Sequence, residues 1–163
     1  KQGYYYQVID PFTLFSMRFV KDQSISSWMD FIGTPGYYTW CGNAFEMLCL
    51  NHVPQLKQAL GIPGVETTEY AWRSRQQKDG VQIDLIIDRR DQLINLCEMK
   101  FTREPFAIDA AYEKQLIHKA ELFRQEMKPS KAIHLTMVSA SGLTQNQYTP
   151  VVQNVISGDD LFL

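Results

Sequence analysis

The chain has 163 residues, 45% of them apolar and 21% charged, with a formal net charge of −2. That is enough apolar material for one sizeable core, and it excludes a disordered chain. The near-neutral charge removes any global pull toward nucleic acid, so contact with a phosphate backbone would need a local basic patch or a partner.

Cys41, Cys49 and Cys97 are odd in number and far apart, with no CxxC and no Cys/His cluster. Free thiols in a reducing, cytoplasmic compartment are expected, and a zinc site is not. No apolar run approaches the roughly 18 residues that span a bilayer. The first residue is Lys1, which suggests a piece of a longer chain, and no signal-peptide pattern opens it.

From Lys1 to about Val20 the chain is dense in aromatics (Tyr4, Tyr5, Tyr6, Phe12, Phe15, Phe19), as expected of a segment that packs either on the following domain or on a missing upstream one. Lys21 to Ser24 is a polar break, and Gly33-Thr34-Pro35-Gly36 reads as a turn. These signals predict a linking segment over 1–36 and a folded domain over 37–163. From Gly42, Phe45, Leu48, Cys49, His52, Leu56 and Leu60 recur at helical spacing. Pro54 predicts a kink or two abutting helices, because it removes one backbone hydrogen bond.

Three strand-like runs follow, Thr67 to Arg73, Val81 to Arg89 and Gln92 to Phe101, with short polar connections that read as hairpins. Asp109 offers an N-cap to a helix carrying Tyr112, Leu116, Ala120 and Phe123. Ala132 to Val138 suits a buried strand, and Val151 to Ile156 a last one. The expected fold class is α/β, a mixed sheet flanked by helices in the order αβββαβ.

Charge interrupts two apolar strands. Asp84 stands in Gln82-Ile83-Asp84-Leu85-Ile86-Ile87, and Glu98 and Lys100 in Leu96-Cys97-Glu98-Met99-Lys100-Phe101. Residues two apart share a strand face, so Glu98 and Lys100 point the same way. Asp84 precedes Glu98 by fourteen residues, a spacing that suits neighbouring antiparallel strands and brings the carboxylates close. Such a pair repels unless a cation intervenes, and oxygen ligands suit Mg²⁺ or Mn²⁺. Phosphodiester hydrolysis needs a polarised phosphoryl oxygen, an activated water and a countercharge. Lys100 is the candidate countercharge. The competing reading is a solvated ExK pair on a strand face, which the apolar flanks of all three charges disfavour.

Ile83-Asp84 followed by Glu98-Met99-Lys100 resembles the PD-(D/E)XK nuclease superfamily, with Ile83 in place of the motif's proline. The run Gly80 to Phe101, the helix from Asp109 to Gln125 and the stretch Ala132 to Phe162 look like the C-terminal domain of a prokaryotic family of ATPases. In that family an AAA-type ATPase domain and a winged helix precede a restriction-endonuclease-like domain. Val8-Ile9-Asp10-Pro11-Phe12-Thr13-Leu14-Phe15 is similar to the stretch that follows the winged helix there. The resemblance implies a Mg²⁺-dependent nuclease acting on DNA, with the upstream ATPase and winged-helix domains as partners in the same polypeptide. Asp84, Glu98 and Glu46 would hold the metal, the last being the matching acid from the preceding helix, where a carboxylate near a helix start is also favoured by the dipole. Gln115 and Lys119, four apart on one helix face, match positions where such domains set polar groups over the site; a solvated face is the alternative. There is no G-x-x-x-x-G-K-[ST], so this stretch alone is not expected to hydrolyse ATP. A catalytically silent DNA-binding or assembly module on the same fold is the second expectation. His52 is expected to be a satisfied, partly buried side chain, and Arg73, Arg75, Arg89, Arg90 and Arg103 are candidates for a basic rim.

Overall fold

The computed structural model describes residues 8, 10–21, 27–74 and 80–162. Tyr4, Tyr5, Tyr6, Arg75 and most of the break after Lys21 lie outside the described residues. Five strands form one sheet in the order β1 (Thr67–Arg73), β2 (Gln82–Arg89), β3 (Leu93–Lys100), β4 (Ala132–Ser139) and β5 (Asn154–Ser157). The first two pairings are antiparallel and the last two parallel, so the sheet is mixed, as expected. The short link between β2 and β3 makes a hairpin, whereas β3 reaches β4 through a crossover helix, as parallel neighbours require.

That crossover is α5 (Ala110–Met127), capped by Asp109, whose side chain accepts from the Tyr112 amide at 2.7 Å. Its apolar stripe (Leu116, Leu122, Phe123) packs on one sheet face, against Ile83, Ile86, Ile94 and Leu96 toward one end and Met137 toward the other. The opposite face takes α3 (Pro35–Asn51) and α4 (Val53–Ala59): Phe45, Cys49 and Leu56 meet Leu85, Ile87, Cys97 and Met99. Strand β3 is thus apolar on both faces, and a charge on it needs a specific environment.

Two boundaries differ from expectation. The cluster Gly33 to Gly36 is a helix start, not merely a turn. The Thr34 hydroxyl accepts from the Tyr37 amide at 3.2 Å, Pro35 opens α3, and the helix runs on through Gly36 and Gly42. The expected division at 36/37 therefore falls inside α3. At Pro54 the chain takes the second of the two expected forms: α3 stops at Asn51, and Pro54 sits in the first turn of α4. The last strand begins at Asn154, because Thr149–Val151 forms a 3₁₀ turn.

Upstream, α1 (Pro11–Phe15) leads into a π-helical turn, Ser16–Val20, and α2 covers Trp28–Phe31. Phe15, Phe19, Trp28, Phe31, Tyr37 and Trp40 cluster, with ring centroids from 5.0 Å (Phe19–Phe31) to 6.3 Å (Trp28–Trp40) apart. The aromatic segment thus packs on the first turns of α3. Among the described residues no helix is long and apolar enough to cross a membrane.

Candidate functional site

The site is organised by an irregularity in β2. Tyr70 pairs with Ile86 and Trp72 with Ile83, so one residue of β1, Ala71, stands against two of β2, Asp84 and Leu85. A bulge of this kind turns side chains out of alternation. Ile83 and Ile86, three apart, both join the α5-side core, while Leu85 joins the other. On the far side of β2, ladder pairing with β3 runs from Asp88–Ile94 to Leu85–Cys97 and goes no further. Asp84 sits just past that last pair. Its Oδ2 accepts the Met99 amide at 3.1 Å, a carboxylate taking the place of a strand carbonyl.

Glu98 and Lys100 lie on the α5 side of β3, as their spacing from Leu96 requires. Both oxygens of Glu98 have partners from α5. Lys119 donates from Nζ to Oε2 at 2.6 Å, and Tyr112 donates its hydroxyl to Oε1 at 3.4 Å. The Lys119 ion pair is well shielded, its side chains 23% and 16% exposed. Burial pushes the Glu98 carboxyl above its ordinary range, Lys119 pulls it back, and Asp84 adds to the rise. The Tyr112 hydroxyl is pushed up as well, by burial first and then by Glu98 and Asp84.

Glu46 enters from the α3 side. It lines a cleft of about 290 Å³ together with Leu50, Val53, Tyr70, Gln82, Asp84 and Leu85. Burial raises its carboxyl, and the negative charges of Asp84 and Glu98 raise it further. The three carboxylates therefore sense one another across the parted ends of β2 and β3, although Glu98 does not line the cleft. The dipole argument for Glu46 is corrected by the structure: α3 starts at Pro35, so Glu46 lies beyond its middle, away from the favourable N-terminal turn.

Lys100 Nζ lies 5.5 Å from the Phe106 ring centroid and 5.4 Å from that of Tyr112. Gln115 is exposed on α5. Lys119, for which a solvated face was the alternative, is drawn onto Glu98. Tyr112 is the participant that sequence reasoning assigned only to the core. Its signal was available: Tyr112 and Lys119 are seven apart, two helical turns, and so share the helix face that covers β3. Below the carboxylates, Cys49 and Cys97 are fully buried, free thiols. Burial, with Asp84 and Glu46 nearby, pushes the Cys49 thiol up to about 12, so it is inert as a nucleophile.

The candidate basic rim is partly spoken for. Arg89 pairs with Asp91 at 2.5 Å, and Arg90 pairs with Glu66. His52 donates from Nδ1 to the Leu48 carbonyl at 2.7 Å, the satisfied histidine that was expected.

In kind, the donor set suits a hard divalent cation, since it offers oxygen only; burial is the main cause that lifts the Glu46 and Glu98 carboxyls, and the charge of Asp84 adds to it. Among the described residues, however, no group of three or more His, Cys, Asp or Glu side chains is gathered closely enough to hold a metal ion.

No protein-family description matches the chain, and no curated relative does. Among solved structures, the chain is similar to the crystal structure of a protein of unknown function, AF1548, at 15% identity and a TM-score of 0.43. The alignment covers 68% of this chain and 56% of that one, so the chain spans little more than half of that structure's length.

Proposed function

We propose that this chain carries a metal-dependent nuclease site of the PD-(D/E)XK kind, on a restriction-endonuclease-like sheet, and hydrolyses DNA phosphodiester bonds. The observation that carries the reading is the placement of Asp84 and Glu98 at the parted ends of β2 and β3, near enough for their charges to act on Glu46, with Lys100 two residues beyond Glu98. The order of elements from α3 through β4 and the motif residues Asp84 and Glu98-Met99-Lys100 support the same family. The resemblance of the longer stretches supports a place as the C-terminal part of a cytoplasmic AAA-type ATPase with a winged helix.

In this reading Asp84 and Glu98 hold Mg²⁺ or Mn²⁺, with Glu46 assisting directly or through water. When bound, the metal supplies Lewis acidity to the phosphoryl group and a countercharge to the carboxylates. Asp84, anchored through one oxygen to the Met99 amide, keeps the other oxygen for this task. Glu98 has to share or exchange its Lys119 contact. Lys100 stabilises negative charge on the phosphoryl oxygens. Gln115 lies on the exposed face of α5, where it meets substrate or water.

Calorimetry with Mg²⁺ or Mn²⁺ tests the first step. Binding is expected in the wild type and lost in Asp84→Asn, and equal behaviour of the two sinks the metal site. Nicking of plasmid DNA by the wild type, lost in Lys100→Ala, tests the chemistry. A second reading, a silent DNA-binding or assembly module, is favoured by one observation: Lys119 already neutralises Glu98 from within. In that case Asp84→Asn and Lys100→Ala leave DNA or ATPase association intact, and no nicking is seen.

A further inference from the structure

Two residues apart on a strand, Glu98 and Lys100 are separated by roughly 6.6 Å of chain and share a face, well within the reach of a lysine side chain. An ion pair between them is within geometric reach. It does not form. Glu98 pairs instead with Lys119 from α5, and among the described residues Lys100 makes no ion pair at all. Its ammonium is met by two rings that stand nearly perpendicular, Phe106 and Tyr112, with centroids 5.0 Å apart and an interplanar angle of 74°. Both distances to Nζ lie inside the range of cation–π attraction, which is stronger where water is thinned out.

The corner is built to stay put. Phe106 is pinned through its backbone: its amide donates to the Gly142 carbonyl, and its carbonyl accepts the Thr144 amide, both at 2.9 Å. Tyr112 is fixed at its own amide by the Asp109 cap, and its hydroxyl makes a long contact to Glu98 at 3.4 Å. Both rings back onto the small core of Ile108, Leu116, Met137 and Val152. Tyr112 therefore touches both members of the pair at once, the hydroxyl on Glu98 and the ring face toward Lys100.

We propose that Phe106 and Tyr112 are positioning residues, an aromatic corner that holds the Lys100 ammonium off Glu98 and keeps its N–H donors available to an anionic oxygen of the substrate. The class of ligand is a phosphate or phosphodiester oxygen, so the proposal deepens the nuclease reading and rests on it. A ring face attracts the ammonium without accepting all three of its hydrogens, whereas a carboxylate would quench it. The ring thus supplies orientation at little cost in available charge. Lys119 completes the arrangement by satisfying Glu98 from the other side.

The test follows the Lys100 side chain by NMR in protein labelled at lysine, assigned by loss of its signals in Lys100→Arg. In the wild type its terminal methylene protons are expected upfield of the free-lysine position, because they lie over two ring faces. Tyr112→Phe keeps a ring and retains that shift. Tyr112→Leu and Phe106→Leu lose much of it. Inorganic phosphate is the probe for availability: it perturbs the Lys100 signals in the wild type and in Tyr112→Phe. In Tyr112→Leu the apparent affinity falls about three- to tenfold, as a cation–π contact of about 1 kcal/mol implies. Tyr112→Phe guards against a folding defect, since it changes one hydroxyl only. An unshifted Lys100 in the wild type overturns the proposal, as does an unchanged phosphate response in a folded Tyr112→Leu. Absence of plasmid nicking with the shift and the phosphate response intact would instead count against the nuclease reading alone, so the two failures are separable.

Discussion

At the scale of single residues, the chemistry of this chain is a question of how three carboxylates tolerate one another. Glu46 and Glu98 both titrate above their ordinary range, chiefly through burial, with neighbouring acids adding to it. A carboxyl whose folded value is raised stabilises the fold fully below its unfolded value of about 4.5, and that contribution is lost as pH rises through the folded value. Glu46→Gln removes the dependence at one position. The expected result is a variant close to the wild type below pH 4.5 and more stable than it at neutral pH, read as the difference in Tm across that window. Added Mg²⁺ is expected to narrow the neutral-pH gap in the nuclease reading. Removing Lys119 acts in the opposite sense: Lys119→Met leaves a shielded carboxylate without its cation and pushes Glu98 further up. It is expected to lower Tm at neutral pH by more than it does in acid.

These residues were legible in unequal measure. Asp84, Glu98 and Lys100 stood out because charge is costly in strands that are otherwise apolar. Lys119 was ambiguous, because a lysine on a helix face looks the same to periodicity whether it meets water or a glutamate. Tyr112 was hidden by its ring, which satisfies a core pattern regardless of what its hydroxyl does. Glu46 was found by resemblance, and the local reason attached to it, a helix start, failed because the helix begins eleven residues earlier than its acid.

At the scale of elements, boundaries were set by caps more than by apolar spacing. Thr34 and Asp109 each accept a backbone N–H three residues on. Asp109→Ala is expected to cost about 1 kcal/mol, and because the cap holds Tyr112 it should also disturb the aromatic corner, visible as a change in the Lys100 signals. The same helix ends on a residue under strain. Lys128 adopts φ 47° and ψ 48°, the left-handed region that a side chain resists. Lys128→Gly is expected to raise stability by ~1 kcal/mol, measured by denaturant unfolding, without touching the site. Neither the left-handed Lys128 nor the left-handed Gln92 in the β2–β3 turn could be read from residue type, since glycine or asparagine is the usual marker of that conformation. Pro54 was readable because proline has few options: the break it forced fell where the ring could occupy a first turn.

At the scale of the whole molecule, the mixed sheet with helices on both faces followed from the alternation of strand-like and helical runs. The pairing order β1-β2-β3-β4-β5 puts β3 at the centre, and that placement is what makes its two charges informative. Phe123, fully buried beneath Trp72 in an edge-to-face contact at 5.4 Å, ties α5 to the far strand β1. Phe123→Ala is expected to cost about 3–5 kcal/mol and to unfold the sheet as one unit in thermal melts. The aromatic N-terminal segment packs on the following domain, one of its two expected partners; the helix turn that receives it was not readable, because Tyr37 and Trp40 lay in what looked like a turn and its aftermath.

The surplus residue in β2 has a consequence of its own. A sheet that spends one position on a kink gives up a stretch of regular pairing in order to let an acid reach between two strands. Shortening β2 by one residue between Ile83 and Leu85 would let the ladder close, and the straightened protein should melt higher than its parent. Robustness and usefulness would then have parted company at a single codon, and selection for hardiness alone would be expected to erase the notch.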